Sequence, residues 1–452
     1  PLISFSQKKD YKNFDKAVKY NTEGNIDKSI RYANKALENS PGWKKPNLLL
    51  ASIYANDKQI ELAAEYLLKV YNTNNLKDVK GIEQVVKLYY YNGFYNEALF
   101  YSEKIIAHDT SKFRFTTKID RYINNCAFAI EALKSPVEFN PVNLGDNINS
   151  EFEEYLPAIS VDGKTLVYSR RFIKNNVLQE DFFISEKNEN NSWIPSKDYG
   201  NNLNTSGNEG AFSFSADKEM AVFTACDREG RIGRCDLYLL IAGKTYNAGK
   251  IINSKEWDSQ GCFSPDGKYL YFVSSRKGGY GGKDIWRSEI TKGGFLTPEN
   301  LGPDINTKFN EMSPFLHPDN ITLYFASNGH IGMGDYDIFM CRRTSTINKW
   351  NKPENMGYPI NTFNTENSLI VANDGKTAYY VSDKSGFGKE DIFRFELPKN
   401  LQAEPLADLE MDIITQKAGE EVILKNVSFS SNSYALEKSS FVELNKLISY
   451  LK

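Results

Sequence analysis

The sequence has 452 residues, 40% of them hydrophobic and 25% charged, with a formal net charge of -3. A chain of this length is too long for a single core, so two or three domains are expected, and its composition excludes a wholly disordered protein. Mixed positive and negative residues disfavour nucleic acid as a partner, and no apolar run of about 18 residues could span a bilayer.

The first part of the chain, residues 1–135, predicts an α-helical solenoid of tetratricopeptide (TPR) type. Apolar residues recur there at helical spacing. The turn positions Gly24, Lys58 and Gly93 lie 34 and 35 residues apart, which is the spacing of a TPR. Three such units are enough to stack, and a further helix over about residues 113–133 is expected to cap the stack.

A helical stack of this type is expected to bind a helix or an extended segment of a partner protein. Aromatic side chains are common anchors at protein interfaces. At helical spacing, at least half of the candidates must belong to the helical core. The candidate anchors are four tyrosines: Tyr54, Tyr89, Tyr90 and Tyr91.

Residues 136–398 show short alternating strands separated by Asp-Gly and similar turns, which predicts an all-β domain. The turn Asp recurs at five positions: Asp162, Asp217, Asp266, Asp319 and Asp374. An acid stands eight residues before each of them: Glu154, Glu209, Asp258, Glu311 and Glu366. One such unit cannot bury its own faces, whereas units arranged radially bury them against each other. The repeat therefore predicts a five-bladed β-propeller.

Closure of this ring requires the first and last blades to share strands. The fifth copy stops at Pro398 without the outer strand that follows the middle copies, and a matching segment stands at residues 137–145. We predict that this segment completes the last blade and removes the exposed edges that an open fan of sheets would leave.

The five repeated acids are expected near the innermost strands, where a ring of carboxylates could hold a cation. However, an acid that occurs once in each blade more often bonds backbone amides or a neighbouring blade, since it solves the same packing problem each time. We therefore interpret these acids as structural, and no metal or other cofactor is predicted. The same interpretation applies to a second repeated set: Asp236, Asp284, Asp337 and Asp391.

Two cysteines, Cys226 and Cys235, flank the short loop 227–234 between two strands of the second blade. They could face each other across a hairpin, and an oxidising compartment would permit a disulfide there. The other cysteines stand in apolar stretches and are interpreted as buried free thiols: Cys126, Cys262 and Cys341.

After the propeller, residues 399–421 predict a polar linker, and residues 422–452 predict one strand followed by one helix. A single strand and helix cannot hold a core alone. The last segment is therefore interpreted as the beginning of a larger α+β domain.

The repeated elements Asn-Leu-Gly, Ile-Asn-Thr, Pro-Asp-Gly-Lys, Leu-Tyr-Phe and Asp-Ile-Phe over residues 137–398 resemble the PD40 class of WD40-like propellers. Residues 423–452 resemble the opening strand and helix of an OmpA-like peptidoglycan-binding domain. Helical repeats, PD40 propeller and OmpA-like ending in this order resemble the PorE-type envelope lipoproteins of Bacteroidota that accompany type IX secretion and gliding machinery.

This resemblance implies a scaffold on the periplasmic face of the outer membrane. Such a scaffold binds an outer-membrane β-barrel of the PorP/SprF type and tethers it to peptidoglycan through the OmpA-like domain. It also implies membrane contact through an N-terminal lipid upstream of Pro1. The motif that holds peptidoglycan in OmpA-like domains would lie beyond Lys452.

Enzymatic chemistry has little support in the sequence. The nucleophile motif Gly-x-Ser-x-Gly does not occur, and the three histidines are scattered: His108, His317 and His330. The sequence therefore predicts a non-enzymatic protein that binds other proteins. The alternative is a propeller that binds or cleaves envelope carbohydrates, which requires acids in an open pocket with shifted pKa values.

Overall fold

The computed structural model of the chain describes the following residues: 5–71, 79–108, 116–200, 203–344, 349–383, 386–403, Leu436, Ser440 and Leu444. The chain divides into two compact units. The first comprises Pro1–Ser135, Ile331–Asp335 and Thr362–Asn364, and the second comprises Pro136–His330, Tyr336–Asn361 and Thr365–Lys452. Within the described ranges, no helix combines the length and the apolar character needed to cross a membrane.

The first unit consists mainly of helices: α1 (Phe5–Thr22), α2 (Ile26–Leu37), α3 (Lys44–Asn56), α4 (Ile60–Val70), α5 (Val79–Tyr90), α6 (Tyr95–His108) and α7 (Thr116–Lys134). Gly24 (φ +74°) and Gly93 (φ +80°) form turns that glycine adopts without strain. Small buried residues such as Ala17 and Ala33 let neighbouring helices approach closely. The spacing of these turns therefore determines where the helices end.

The prediction of a TPR solenoid is corrected to a set of N-terminal helices. The compact unit that contains residues 1–135 also includes Ile331–Asp335, which comes from far along the chain. Within this unit, the buried hydroxyl of Tyr90 donates a hydrogen bond to the carbonyl oxygen of Gly334 at 3.0 Å. The core of the unit is therefore not made by stacked repeats alone, although the turn spacing suggested that it would be.

The second unit is a five-bladed β-propeller, as predicted, and each blade is an antiparallel sheet. Strand β1 (Val142–Asn143) precedes the first blade in the chain. The first blade contains β2 (Glu153–Ile159), β3 (Thr165–Lys174), β4 (Val177–Glu186) and β5 (Lys197–Asp198). The second blade contains β6 (Asn208–Phe214), β7 (Met220–Cys226), β8 (Cys235–Ile241) and β9 (Lys244–Asn247), and a short helix α8 (Gly249–Ile252) follows it.

The remaining blades repeat this order. The third contains β10 (Asp258–Phe263), β11 (Tyr269–Ser274), β12 (Asp284–Thr291), β13 (Gly294–Phe295) and β14 (Glu299–Asn300). The fourth contains β15 (Glu311–Leu316), β16 (Thr322–Ser327), β17 (Asp337–Arg342) and β18 (Glu354–Asn355). The fifth contains β19 (Leu369–Val371), β20 (Thr377–Ser382), β21 (Asp391–Glu396) and β1.

The predicted Asp turns join the first two strands of each blade. In the first blade, the Asp162 carboxylate accepts hydrogen bonds from Ser160 Oγ at 2.5 Å and from the Lys164 backbone N–H at 3.0 Å. An Asp side chain that bonds the backbone two residues further on favours a turn, which explains why Asp recurs at this position.

The predicted closure of the ring is confirmed. Strand β1 pairs with β21, with Val142 opposite Arg394 and Asn143 opposite Phe393. The side chain of Asn149 bonds both backbone groups of Ile392, accepting from its N–H at 2.8 Å and donating to its carbonyl oxygen at 2.9 Å. The segment before the first blade therefore completes the fifth.

Four of the innermost strands carry a β-bulge. The pairing between the first and second strands shifts register at the same place in blades one to four. Two residues after the repeated acid, each of these strands has a non-glycine residue with positive φ: Leu156, Ala211, Gln260 and Ser313. Bulges re-aim side chains and are common beside functional sites.

Aromatic side chains fill the space between neighbouring blades. Phe182 of β4 packs edge-on against Phe212 of β6 and Phe223 of β7, with ring centroids 5.5 and 5.8 Å apart. Each such pair contributes about 0.5–1.5 kcal/mol beyond the burial of its surface. This packing stabilises a radial arrangement in which no blade buries its faces alone.

The fold class is also corrected at the end of the chain. A short 3-10 helix, Lys399–Leu401, follows the propeller, and the Tyr324 hydroxyl donates to the Leu401 carbonyl oxygen at 2.8 Å. Most of the predicted linker 399–421, and all of segment 422–452 except three single residues, lie outside the described residues. Within the described residues, the fold is a set of N-terminal helices and a five-bladed propeller, and no OmpA-like domain is seen among them.

Candidate functional site

The innermost strands surround a cavity of about 100 Å³, and all five blades contribute to its wall. The four bulge residues with positive φ line this cavity: Leu156, Ala211, Gln260 and Ser313. The cavity therefore lies where the backbone departs from regular strand geometry.

Uncharged polar groups line part of the cavity. The Ser313 backbone N–H donates to Gln260 Oε1 at 2.8 Å, and the Gln260 backbone N–H donates to Thr224 Oγ1 at 3.0 Å. The hydroxyl of Ser313 is buried and has no hydrogen-bond partner. Ser368 and Asn373 of the fifth blade also line the cavity. Several uncharged donors and acceptors are thus available there.

Apolar side chains line other parts of the cavity. They include Leu156, Ile159, Phe214, Phe315 and Ile370. Two of these are aromatic and partly exposed, Phe214 and Phe315. A mainly apolar wall with a few placed polar groups is typical of a small-molecule site.

The wall of the cavity is electrically neutral. Among the described residues that line it, none carries a carboxylate, ammonium, guanidinium or imidazole group. The one thiol, Cys262, is kept neutral because burial raises its pKa to about 11. An uncharged ligand would therefore suit this cavity better than an ion.

The repeated acids lie elsewhere and are used by the structure. Four of them are fully buried: Glu154, Glu209, Asp258 and Glu311. Each accepts hydrogen bonds from the backbone N–H and the hydroxyl of the Ser or Thr four residues earlier, as Glu209 does from Thr205 at 3.1 and 2.5 Å. The fifth acid, Glu366, is partly exposed.

Two of the buried acids have shifted pKa values. Burial raises the pKa of Glu209, and it raises that of Glu311 to about 7. A raised pKa indicates a functional acid only where substrate can reach it, and neither residue lines the cavity. The five acids are therefore not brought together in one accessible site.

The second repeated set of Asp residues also bonds the backbone. Asp284 accepts from the backbone N–H groups of Tyr280 and Gly281 at 2.5 and 3.0 Å, and from Asn300 Nδ2 at 2.7 Å. Asp236 and Asp391 accept equivalent bonds. Each carboxylate thus ties a loop to the outer strand of its own blade.

The four candidate tyrosine anchors differ in burial. Tyr90 is fully buried and Tyr89 is 7% exposed, so both belong to the helical core. Burial raises the pKa of Tyr89 to about 12. Tyr54 and Tyr91 are partly exposed, and Tyr54 stacks on Tyr66 with ring centroids 5.5 Å apart. Only Tyr54 and Tyr91 present surface to a partner.

Cys226 and Cys235 are joined by a disulfide and stand directly opposite each other on β7 and β8, with Cα atoms 4.2 Å apart. The three other cysteines are free and buried: Cys126, Cys262 and Cys341. The disulfide closes the loop between the two strands.

A charged cluster that the sequence analysis did not single out lies where blade five meets blade one. We call it the seam cluster, and it consists of Glu153, Tyr155, Arg171, Glu180 and Glu390. Arg171 donates to Glu153 Oε2 at 2.6 Å and to Glu180 Oε1 at 2.9 Å. Its guanidinium lies over the Tyr155 ring, 4.9 Å from the centroid. Glu153 and Glu390 form a parallel bridge across the seam.

A weak sequence signal for this cluster existed. Glu153 directly precedes a repeated acid, whereas the other copies have an uncharged residue at that position: Asn208, Trp257, Asn310 and Thr365. Residues that the copies share do not reveal this position, because Glu153 is a departure from the repeat.

No family model matches the sequence, and no curated protein matches it. Solved structures of similar fold were found. The catalytic domain of the GH62 α-L-arabinofuranosidase of Coprinopsis cinerea is 10% identical over 57% of this chain and 97% of that chain, with a TM-score of 0.37. An endo-arabinase from Bacteroides thetaiotaomicron VPI-5482 is 13% identical over 57% of this chain and 97% of that chain, also with a TM-score of 0.37.

A thermostable family-43 glycoside hydrolase is 15% identical over 55% of this chain and 91% of that chain, with a TM-score of 0.37. The prediction that the chain is not an enzyme is corrected, because glycoside hydrolases are among the solved structures of similar fold. No family model supports the expected TPR, OmpA-like or PorE-type assignment. The expected partners and the periplasmic location stay predictions.

Proposed function

We propose that the propeller binds carbohydrate and takes a neutral saccharide in its central cavity. The observation that carries this proposal is the neutral wall of the cavity, which combines apolar side chains with uncharged polar groups. A sugar ring has an apolar C–H face that packs on aromatic and aliphatic side chains, and hydroxyl groups that need uncharged hydrogen-bond partners. Phe214 and Phe315 supply the first kind of contact, and Gln260 and Ser313 supply the second.

The size of the cavity limits the ligand. About 100 Å³ accommodates part of a saccharide, such as one sugar ring at the end of a chain, with the rest of the chain outside. The Ser313 hydroxyl has no hydrogen-bond partner. A buried hydroxyl without a partner costs about 1–3 kcal/mol, so a ligand hydroxyl that bonds to Ser313 would remove this cost.

Isothermal titration of the purified chain tests this proposal. The probes are neutral oligosaccharides of arabinose, xylose, glucose and N-acetylglucosamine. We expect one of them to bind, and Gln260→Leu to weaken that binding about tenfold, because it removes hydrogen bonds worth roughly 1–1.5 kcal/mol. The matched control is Gln59→Leu, at an exposed glutamine of the helical unit. Binding that is equal in both variants would show that the saccharide lies elsewhere.

A second candidate function is protein binding, favoured by one feature of the first blade. Strands β3 and β4 are ten residues each and form a ribbon whose tip exposes apolar side chains. Ile173, Val177 and Leu178 are 69%, 63% and 58% exposed. Clustered exposed apolar residues mark interaction sites more often than single ones do.

For this second candidate, we propose a scaffold on the periplasmic face of the outer membrane, with an outer-membrane β-barrel protein of the PorP/SprF type as partner. Affinity purification of the tagged protein from its native envelope, followed by mass spectrometry, is the test. A barrel recovered with wild type and lost with Ile173→Ser/Leu178→Ser supports the scaffold. Recovery that does not depend on these residues removes the ribbon as its docking site.

A further inference from the structure

We propose that the seam cluster is a catalytic site that hydrolyses a glycosidic bond of a neutral saccharide, with Glu390 as the acid and Glu153 as the base. This inference rests on the proposed saccharide binding and adds a reaction and a second location to it. Strand β2 links the two places, because Glu153 and Tyr155 stand at its start and residues 156–159 line the cavity.

The first argument is that the seam between blades five and one breaks the pattern of the other seams. The parallel bridge that joins blades is formed by Cys235 with Trp257 at one seam and by Lys283 with Asn310 at another. At the closing seam it joins two acids, Glu153 and Glu390. Like charges placed directly opposite each other are unfavourable. A structural role would be served better by an uncharged pair.

The second argument is that the two carboxyl groups have different surroundings. Glu153 is ion-paired with Arg171 at 2.6 Å and with Lys389 Nζ at 3.6 Å. Glu390 has no ion pair of this kind among the described contacts, and burial, followed by the negative charge of Glu153, raises its pKa. The acid and the base of an active site usually have surroundings that push their pKa values apart.

The cluster is also accessible to solvent. The side chains of Glu153, Glu180 and Arg171 are 18%, 26% and 33% exposed. This separates them from the four fully buried repeated acids, whose carboxylates no ligand could reach without unfolding.

The reaction balances with water as the second reactant. The Glu390 carboxylic acid gives its proton to the glycosidic oxygen as the bond from that oxygen to the anomeric carbon breaks. A water oxygen bonds to the anomeric carbon, and the Glu153 carboxylate takes the proton that the water loses. The products are an alcohol and a hemiacetal, and exchange of one proton with solvent restores both carboxyl groups.

Release of reducing ends from the same neutral oligosaccharides tests the inference. We expect wild type to release them, and Glu390→Gln and Glu153→Gln to reduce the rate at least 100-fold while leaving the affinity measured by titration unchanged. The matched control is Glu289→Gln, at an exposed acid of the third blade. The rate of wild type should fall as the pH rises through the pKa of Glu390, because the acid must be protonated.

Two results would overturn the inference while leaving the proposed binding intact: titratable saccharide binding without release by wild type, or release that survives Glu390→Gln. A different result contradicts the binding proposal itself: a saccharide affinity that Gln260→Leu leaves unchanged. Circular dichroism melting of each variant shows that it is folded. If a Gln variant is unfolded, Tyr155→Phe takes its place, with a reduced rate expected and an unchanged rate counting against the cluster.

Discussion

Asp258 and Glu390 are acids of the same propeller with opposite surroundings. Asp258 is fully buried and accepts hydrogen bonds from Ser254 and Ser274, and it is ion-paired with Arg276 at 2.7 Å. Glu390 is partly exposed and stands opposite another acid. The carboxylate of Asp258 is satisfied by the structure, whereas Glu390 has no ion pair among the described contacts and is available for a ligand.

The largest expected effect comes from removing the carboxylate of Asp258, the acid whose charge the structure satisfies. Asp258→Ala leaves the Arg276 guanidinium without its carboxylate and should lower the free energy of unfolding by about 3–5 kcal/mol. Urea denaturation measures the loss, with the exposed Glu256→Ala as control. A loss below about 1 kcal/mol would mean that the repeated acid is not a structural element.

The pH dependence of stability should follow Glu311. Its pKa in the folded state is raised from 4.5 to about 7, so the folded state holds this proton more tightly than the unfolded state does. Stability is therefore greatest below about pH 4.5 for this group, and it declines as the pH rises towards 7, by at most roughly 3 kcal/mol. Denaturation at pH 5 and pH 8 measures the change. Glu311→Gln should flatten it, and a slope that persists in this variant must arise from other groups.

Asparagine substitutions compare the closing seam with an internal seam. Asn149 bonds both backbone groups of Ile392, and Asn306 bonds those of Ile285 in the same way. Asn149→Ala and Asn306→Ala should each cost about 2 kcal/mol, because each leaves buried backbone groups unmet. Urea denaturation of both variants checks this. A far smaller cost for Asn149→Ala would show that the closing seam opens readily.

The smallest effect is expected at Glu390, and it has the opposite sign. Glu390→Gln removes the repulsion with Glu153 and should raise the free energy of unfolding at pH 8 by no more than about 0.5 kcal/mol, since solvent screens this partly exposed group. At pH 3 the gain should vanish, because Glu390 is then protonated in both folded and unfolded chains. Thermal melting at the two pH values is the measurement, and destabilisation at pH 8 would indicate a structural role instead.

Local patterns in the sequence predicted the propeller well. The Asp turns at Asp162 and its equivalents mark strand ends because an Asp side chain bonds its own backbone, and the missing outer strand after Pro398 pointed to Val142–Asn143. The helical turns at Gly24 and Gly93 were also found. In each case the residues that determine the structure lie close together in the chain or recur at a fixed interval.

The candidate sites could not be predicted in this way. The cavity is built from uncharged residues of five blades, such as Gln260 and Ser313, and no single stretch of sequence shows their meeting. Glu153 and Glu390 are brought together only by ring closure. The helical unit also includes Ile331–Asp335, which the spacing of its turns does not indicate. The cavity, the pair Glu153 and Glu390, and the helical unit all depend on contacts between residues far apart in the chain.

The pairing of β1 with β21 has a consequence for synthesis. The first strand of the propeller to leave the ribosome is the last to find its partner, because Val142 must wait for Arg394. Until the fifth blade is complete, the row of four blades is open at both ends. Asn149 then lacks its partner, the backbone of Ile392. Contacts so distant in sequence form slowly. A nascent chain halted before Asp391 should therefore be easily cleaved by proteases, whatever the number of blades already made.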